Sequence, residues 1–167
     1  FKMGPIGQPV RPAMIWNPVK AKMIAGQKVT SDTLFYPTDP ASYCTMANSG
    51  VDFIWTEMQH DGHTWEEAQQ MWAACPHARA VPGARIPLTD EFQEQHALDE
   101  GALVLVVPTV RSLQEGQLAA NWAFWPPLGD RSAGGGQATT AAFWANCCNA
   151  GGNYRNTFND NLVLIFM

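Results

Sequence analysis

An α/β fold with a parallel sheet is predicted by three observations. Strand-like and helix-like segments alternate at spacings of roughly 25 residues, as βαβ units do. Residues 102–107, ALVLVV, are apolar throughout, as a strand covered on both faces is. Residues 51–62, VDFIWTEMQHDG, run from an apolar strand into a cluster of polar groups. Ligands of parallel α/β folds bind beyond the C-terminal ends of the strands, so a site is expected there.

The elements follow in order. Residues 1–16 hold Pro5, Pro9 and Pro12 with Gly4 and Gly7, and are expected to form an extended arm. Asn17 and Pro18 open a helix over 19–25 that stops at Gly26. Residues 28–36, KVTSDTLFY, carry the β-branched and aromatic groups of a first strand. A helix over 41–48 begins at Asp39-Pro40, and the second strand covers 51–55. Thr64 and Glu67 form a capping box for a helix over 65–74. The third strand covers 78–86, the next helix 91–99 after Thr89-Asp90, the fourth strand 102–107, and a helix 112–124. Residues 125–152 are rich in glycine and poor in charge, and are expected to form a long loop. Residues 162–167, LVLIFM, make the fifth strand.

The chain has 167 residues, 46% hydrophobic, enough to bury a core in one domain. The net charge is −5, with no basic run, which argues against nucleic acid. No apolar run approaches the roughly 20 residues of a membrane helix. Cys44, Cys75, Cys147 and Cys148 lack CxxC spacing, and free thiols in a reducing, cytoplasmic compartment are expected. No GxGxxG or GxxxxGK[ST] is present, so a nucleotide-phosphate site is not indicated. That leaves a complete five-stranded flavodoxin-like domain without a phosphate loop.

Five residues could carry the chemistry. His60 follows the second strand and can serve as a general base if a carboxylate orients it; Glu57, Asp61 and Asp99 are the candidate partners. Arg85 ends the third strand inside an apolar segment. It would bind a carboxylate or a developing oxyanion, or form a structural salt bridge to Asp90 or Glu91. Asp99 ends a helix, where the dipole disfavours an acid. Glu57 and Gln59 alternate with Met58 and could face one side, whereas His63 reads as a solvated or capping residue.

Five blocks together resemble the HpcH/HpaI aldolase family, the class II, metal-dependent 2-oxo-acid aldolases of the phosphoenolpyruvate/pyruvate barrel superfamily. They are NPVKAKMIAGQ (17–27), GVDFIWTEMQHDG (50–62), ARIPLTD (84–90), ALDEGALVLVVPTV (97–110) and WPPLGDRSAGGG (125–136). The tail NDNLVLIFM fits the strand that precedes the family's metal-binding Glu. The resemblance covers 17–167 and implies a (β/α)8 TIM barrel, of which about the first five β/α units are present.

The family implies carbon–carbon cleavage or formation of 4-hydroxy-2-oxo acids, giving pyruvate or a related 2-oxo acid and an aldehyde. By position His60 is its base, Arg85 its substrate-binding and oxyanion-stabilising residue, and Asp99 the acid that raises the basicity of the His. Glu57 and Gln59 would stand in a supporting shell or beside metal-bound water; many members have Asp and Glu there. The family's metal ligands would fall after Met167, so none is expected in this chain, and the protein is expected to continue beyond it. The metal implied is Mg2+ or Mn2+, with Co2+ or Zn2+ as alternatives. The assembly implied is a homo-oligomer, usually a hexamer. Two other readings are a citrate-lyase-like enzyme acting on an acyl-CoA, disfavoured by the lack of a basic patch, and a non-catalytic barrel that has lost its metal site.

Overall fold

The computed structural model describes residues 13–35, 39–134 and 154–167. Most of the expected N-terminal arm, the end of the first predicted strand at Tyr36, the glycines Gly135 and Gly136, and Cys147 and Cys148 lie outside them.

Five strands form one parallel sheet in the order β1-β2-β3-β4-β5: β1 Ser31–Leu34, β2 Phe53–Glu57, β3 Val81–Arg85, β4 Val104–Val107 and β5 Val163–Phe166. Strand order never reverses, so the sheet lacks the switch point of a flavodoxin-like domain. Sequential order is the pattern of a barrel wall, and the sheet is consistent with part of a (β/α)8 barrel. The helices are α1 Pro18–Ile24, α2 Pro40–Ala47, α3 Trp65–Ala73, α4 Glu91–Glu100, α5 Leu113–Ala123 and α6 Tyr154–Asn161.

The helix starts follow the sequence signals. The Asn17 side chain accepts the Val19 N–H at 3.0 Å, and Asp39 accepts the N–H groups of Ala41 and Ser42. Thr64 and Glu67 form the expected reciprocal capping box. The side chains of Asp90 and Ser112 cap α4 and α5 by accepting the N–H groups of Gln93 and Glu115. Two segments differ from expectation. Strand β2 begins at Phe53 and runs on to Glu57, which therefore belongs to the sheet and not to the loop. Helix α6 occupies residues where no element was expected, because its buried face of Tyr154, Thr157, Phe158 and Asn161 mixes polar with aromatic groups.

Alternation along β2 divides the two sheet faces. Ile54 and Thr56 face the helices, and the Thr56 hydroxyl accepts the Trp72 indole N–H from α3 at 3.1 Å. Phe53, Trp55 and Glu57 face the other side. Register places Trp55 beside Gly83 and Glu57 beside Arg85. A Cβ at position 83 would come within 2.8 Å of the Val104 carbonyl oxygen, so that strand contact requires glycine. β4 is buried along its whole length, as its apolar run predicted.

The end of the sheet where the strands start is closed. The Asn161 side chain accepts the N–H groups of Trp16 and Asn17 at 2.7 and 2.8 Å and donates to the carbonyls of Met14 and Thr157. Residues about 145 apart in sequence are thereby joined. Cys44 and Cys75 form a disulfide with a Cα–Cα distance of 5.6 Å, which corrects the expectation of free thiols for these two. Packing of α2 against α3 brings the pair together, a proximity invisible in spacings of 31 residues.

Candidate active site

The C-terminal end of β2 is built around one carboxylate. Glu57 is fully buried. Its Oε1 accepts the backbone N–H groups of Gln59 at 2.8 Å and His60 at 3.1 Å. Its Oε2 lies against Nη2 of Arg85 as an ion pair, outside hydrogen-bond alignment. The Met58 N–H donates to the Arg85 carbonyl at 3.0 Å, so the two strand ends are also tied through the backbone. The Arg85 guanidinium carbon lies 5.6 Å from the centre of the Trp55 ring, which forms an apolar floor beneath the pair.

This is a correction for Arg85: the salt bridge goes to Glu57, and not to Asp90 or Glu91. Strand register decides the outcome, because Glu57 and Arg85 are direct partners on the same face. The Arg85 side chain keeps 14% of its surface exposed, and its Nε is buried without a partner. A cation held this way has capacity left for a ligand oxygen.

His60 is exposed directly beyond the strand. His63 is buried, with Nε2 3.5 Å from an Asp61 carboxylate oxygen, where a solvated or capping residue was expected. Of the expected residues, the structure brings Glu57, Gln59, His60 and Arg85 together. Asp99 sits in the last turn of α4. Helix α4 starts beside the end of β3 and returns roughly 15 Å to the start of β4, as a ten-residue helix must. Asp99 is thus carried to the opposite end of the sheet from His60. There its carboxylate accepts from Nη2 of Arg131 at 2.5 Å. The pairing of Asp99 with His60 that the family resemblance implies is not made within this chain.

A cleft of about 400 Å³ adjoins the strand ends. Gln59, Thr89, Thr109, Arg111, Leu118 and Trp122 contribute to its lining. Thr109 has φ 59°, an unfavourable conformation for a β-branched residue. Its backbone turns the chain out of β4, and the following Val110 N–H donates to the Met167 carbonyl at 2.6 Å. Sequence reasoning missed Thr109 and Arg111 because nothing in PTVRS signals a left-handed residue.

It also passed over Glu94. This residue is fully buried, with neither carboxylate oxygen hydrogen-bonded. Burial, and then the charge of Asp90, push its carboxyl up to about 8. A signal was available: Glu94 precedes Ala97 and Leu98 by three and four residues and shares their inward face.

Among the described residues, no group of three or more His, Cys, Asp or Glu side chains is arranged to hold a metal ion. Glu57 is committed to Arg85 and two backbone N–H groups. The donor set present here therefore does not fit a divalent ion.

Comparison with known proteins bears on this arrangement. No family model matches the sequence. A 2-keto-3-deoxy-L-rhamnonate aldolase of Klebsiella pneumoniae is 29% identical over 163 residues, covering 92% of this chain and 55% of that protein. The protein of that name from Escherichia coli K12 is 28% identical over the same shares. The crystal structure of an HpcH/HpaI aldolase from Desulfitobacterium hafniense superposes with a TM-score of 0.75 at 26% identity, over 89% of this chain and 55% of that one. The chain is similar in sequence and fold to the HpcH/HpaI aldolases. It spans about half the length of the relatives it matches. An HpcH/HpaI aldolase/citrate lyase family protein from Burkholderia cenocepacia shares the fold, with a TM-score of 0.76 at 20% identity. The five strands thus correspond to part of the barrel of the HpcH/HpaI aldolases.

Proposed function

We propose that the protein serves as an aldolase, a carbon–carbon lyase that cleaves or forms a 4-hydroxy-2-oxo acid to give pyruvate, or a related 2-oxo acid, and an aldehyde. The observation that carries this reading is the joining of His60 and Arg85 at the C-terminal edge of a parallel β/α sheet through Glu57. Arg85 would hold the keto oxygen or carboxylate of the 2-oxo acid, where negative charge builds as the C–C bond breaks. His60 would take the proton of the C4 hydroxyl, directly or through water. The adjoining cleft would receive the remainder of the substrate. Likeness to the rhamnonate aldolases makes 3-deoxy-2-oxo sugar acids natural first substrates to assay.

The family resemblance also implies a divalent metal, Mg2+ or Mn2+, which would polarise the 2-oxo acid. The described residues of this chain do not supply its ligand set, and no step is assigned to it. A homo-oligomer belongs to the same proposal. Among the described residues no helix is long and apolar enough to cross a membrane. The Cys44–Cys75 bridge weighs against a reducing cytoplasm, where such bonds are rare.

The test is release of pyruvate from 4-hydroxy-2-oxo acids by the full-length protein, with and without EDTA. Metal-dependent release supports the aldolase. No release from any 4-hydroxy-2-oxo acid, with the protein folded and metal supplied, overturns it and favours a non-catalytic barrel.

A further inference from the structure

We propose that Glu57 is a positioning residue that fixes the spacing between the two groups assigned to the chemistry, acting on both at once. The inference deepens the aldolase reading and rests on it. Three observations converge on this one side chain. It is fully buried, at the last position of β2. One of its oxygens accepts two consecutive backbone N–H groups, those of Gln59 and His60, and so clamps the peptide that carries the His60 imidazole. Its other oxygen is the counter-charge of Arg85, which is also its strand-register partner.

The division of labour between the two oxygens has consequences. The His60 side chain is exposed, so nothing in its own packing fixes its place above the strand. The Oε1 clamp does this through the backbone. Arg85 makes its side-chain ion contact with Oε2 and rests near the Trp55 ring. Without the carboxylate, a cation of this flexibility would turn toward solvent or toward the acids of α4. Glu57 thus holds base and cation at one separation. The length of the side chain matters. An aspartate, one methylene shorter, would not reach both the 59–60 peptide and the guanidinium from the same strand position.

Three variants of the full-length protein separate the two roles: Glu57→Gln, Glu57→Asp and Glu57→Ala. Backbone amide hydrogen exchange at Gln59 and His60 reads the clamp, and steady-state pyruvate release reads the chemistry. Glu57→Gln keeps an acceptor for the two N–H groups but loses the counter-charge. Exchange at 59 and 60 should stay near the wild-type rate, while KM rises about tenfold or more as Arg85 loses its place. Glu57→Ala loses both. Exchange at 59 and 60 should rise about tenfold or more, with β4 unchanged, and kcat should fall together with a rise in KM. Glu57→Asp should restore one property and not both. Unchanged exchange in Glu57→Ala, or KM and kcat moving alike in Glu57→Gln and Glu57→Ala, would overturn the proposal. If the wild type releases no pyruvate, the aldolase reading fails, and exchange alone still decides whether Glu57 clamps the loop. If Glu57→Ala does not fold, the near-isosteric Glu57→Gln carries the test.

Discussion

The two ends of the sheet each contain an arginine paired with an acid, and they use it in opposite ways. At the end where the strands start, the Arg131 side chain is fully buried, with its guanidinium 4.7 Å from the ring centres of both Trp125 and Phe158 and Nη2 on Asp99. The Asn161 hub and the Cys44–Cys75 bridge between α2 and the residues after α3 belong to the same scaffold. The Asp99, Phe158, Asn161 and Cys44–Cys75 contacts tie together segments distant in sequence. At the end where the strands stop, Arg85 rests near one aromatic ring and keeps part of its surface exposed. Beside it stand an exposed His60 and an open cleft. The closed end buries its arginine among aromatic rings; the open end keeps an arginine and a histidine in reach of a cleft.

The contrast predicts that substitutions at the two ends move different observables. The largest effect is expected on activity at the open end. His60→Ala should lower the rate of pyruvate release by about 10²–10⁴-fold, as loss of a general base does, with the melting temperature nearly unchanged. A comparable fall in both would place His60 in the scaffold instead. Next comes the closed end. Arg131→Ala leaves the Asp99 carboxylate without its cation and removes the centre of the aromatic stack, and should cost about 3–5 kcal/mol in denaturant unfolding. Activity per folded molecule should hold. An activity loss without destabilisation would mean that Arg131 serves the site.

Removing the disulfide by Cys44→Ser should cost about 3–4 kcal/mol, since the bridge closes a span of 31 residues in the unfolded chain. Reductant should destabilise the wild type by a similar amount and leave Cys44→Ser unaffected; equal responses would show that the bridge is not formed in solution.

The smallest effect comes from Glu94, on the helix that joins the two ends. In the folded state its carboxyl is raised from 4.5 to about 8, while the unfolded chain has already released that proton. The native state therefore binds more protons between those values, and stability should fall as pH rises from 4.5 to about 8. Glu94→Gln should remove this slope and gain about 1–3 kcal/mol at the top of the window. A wild-type stability that rises across the same range would contradict the assignment.

How legible the molecule was in its sequence follows the same division. Element order, the helix caps at Asn17, Asp39 and Thr64, and the buried run of β4 depend on local chemistry, and the sequence displays them. His60 and Arg85 were found because each directly follows or ends a strand. What the sequence could not display are contacts set by register and packing. Glu57 looked like one member of a polar loop until strand register put it opposite Arg85. Asp99 looked like a partner for His60 until the path of α4 carried it to the other end of the sheet. Cys44 and Cys75 looked free because their proximity depends on how two helices pack. Helix α6 was passed over because its buried face is half polar, with Thr157 and Asn161 satisfied by Trp16 and Asn17, far away in sequence.

The central claim is that chemistry resides at the open end and cohesion at the closed one. It is tested most directly by measuring kcat/KM for pyruvate release and the unfolding midpoint on the same preparations of wild type, His60→Ala and Arg131→Ala. The account predicts that His60→Ala loses activity by about 10²-fold or more at unchanged stability, while Arg131→Ala loses stability at unchanged activity per folded molecule. If the two variants lose activity and stability in the same proportion, the separation of the two ends is wrong.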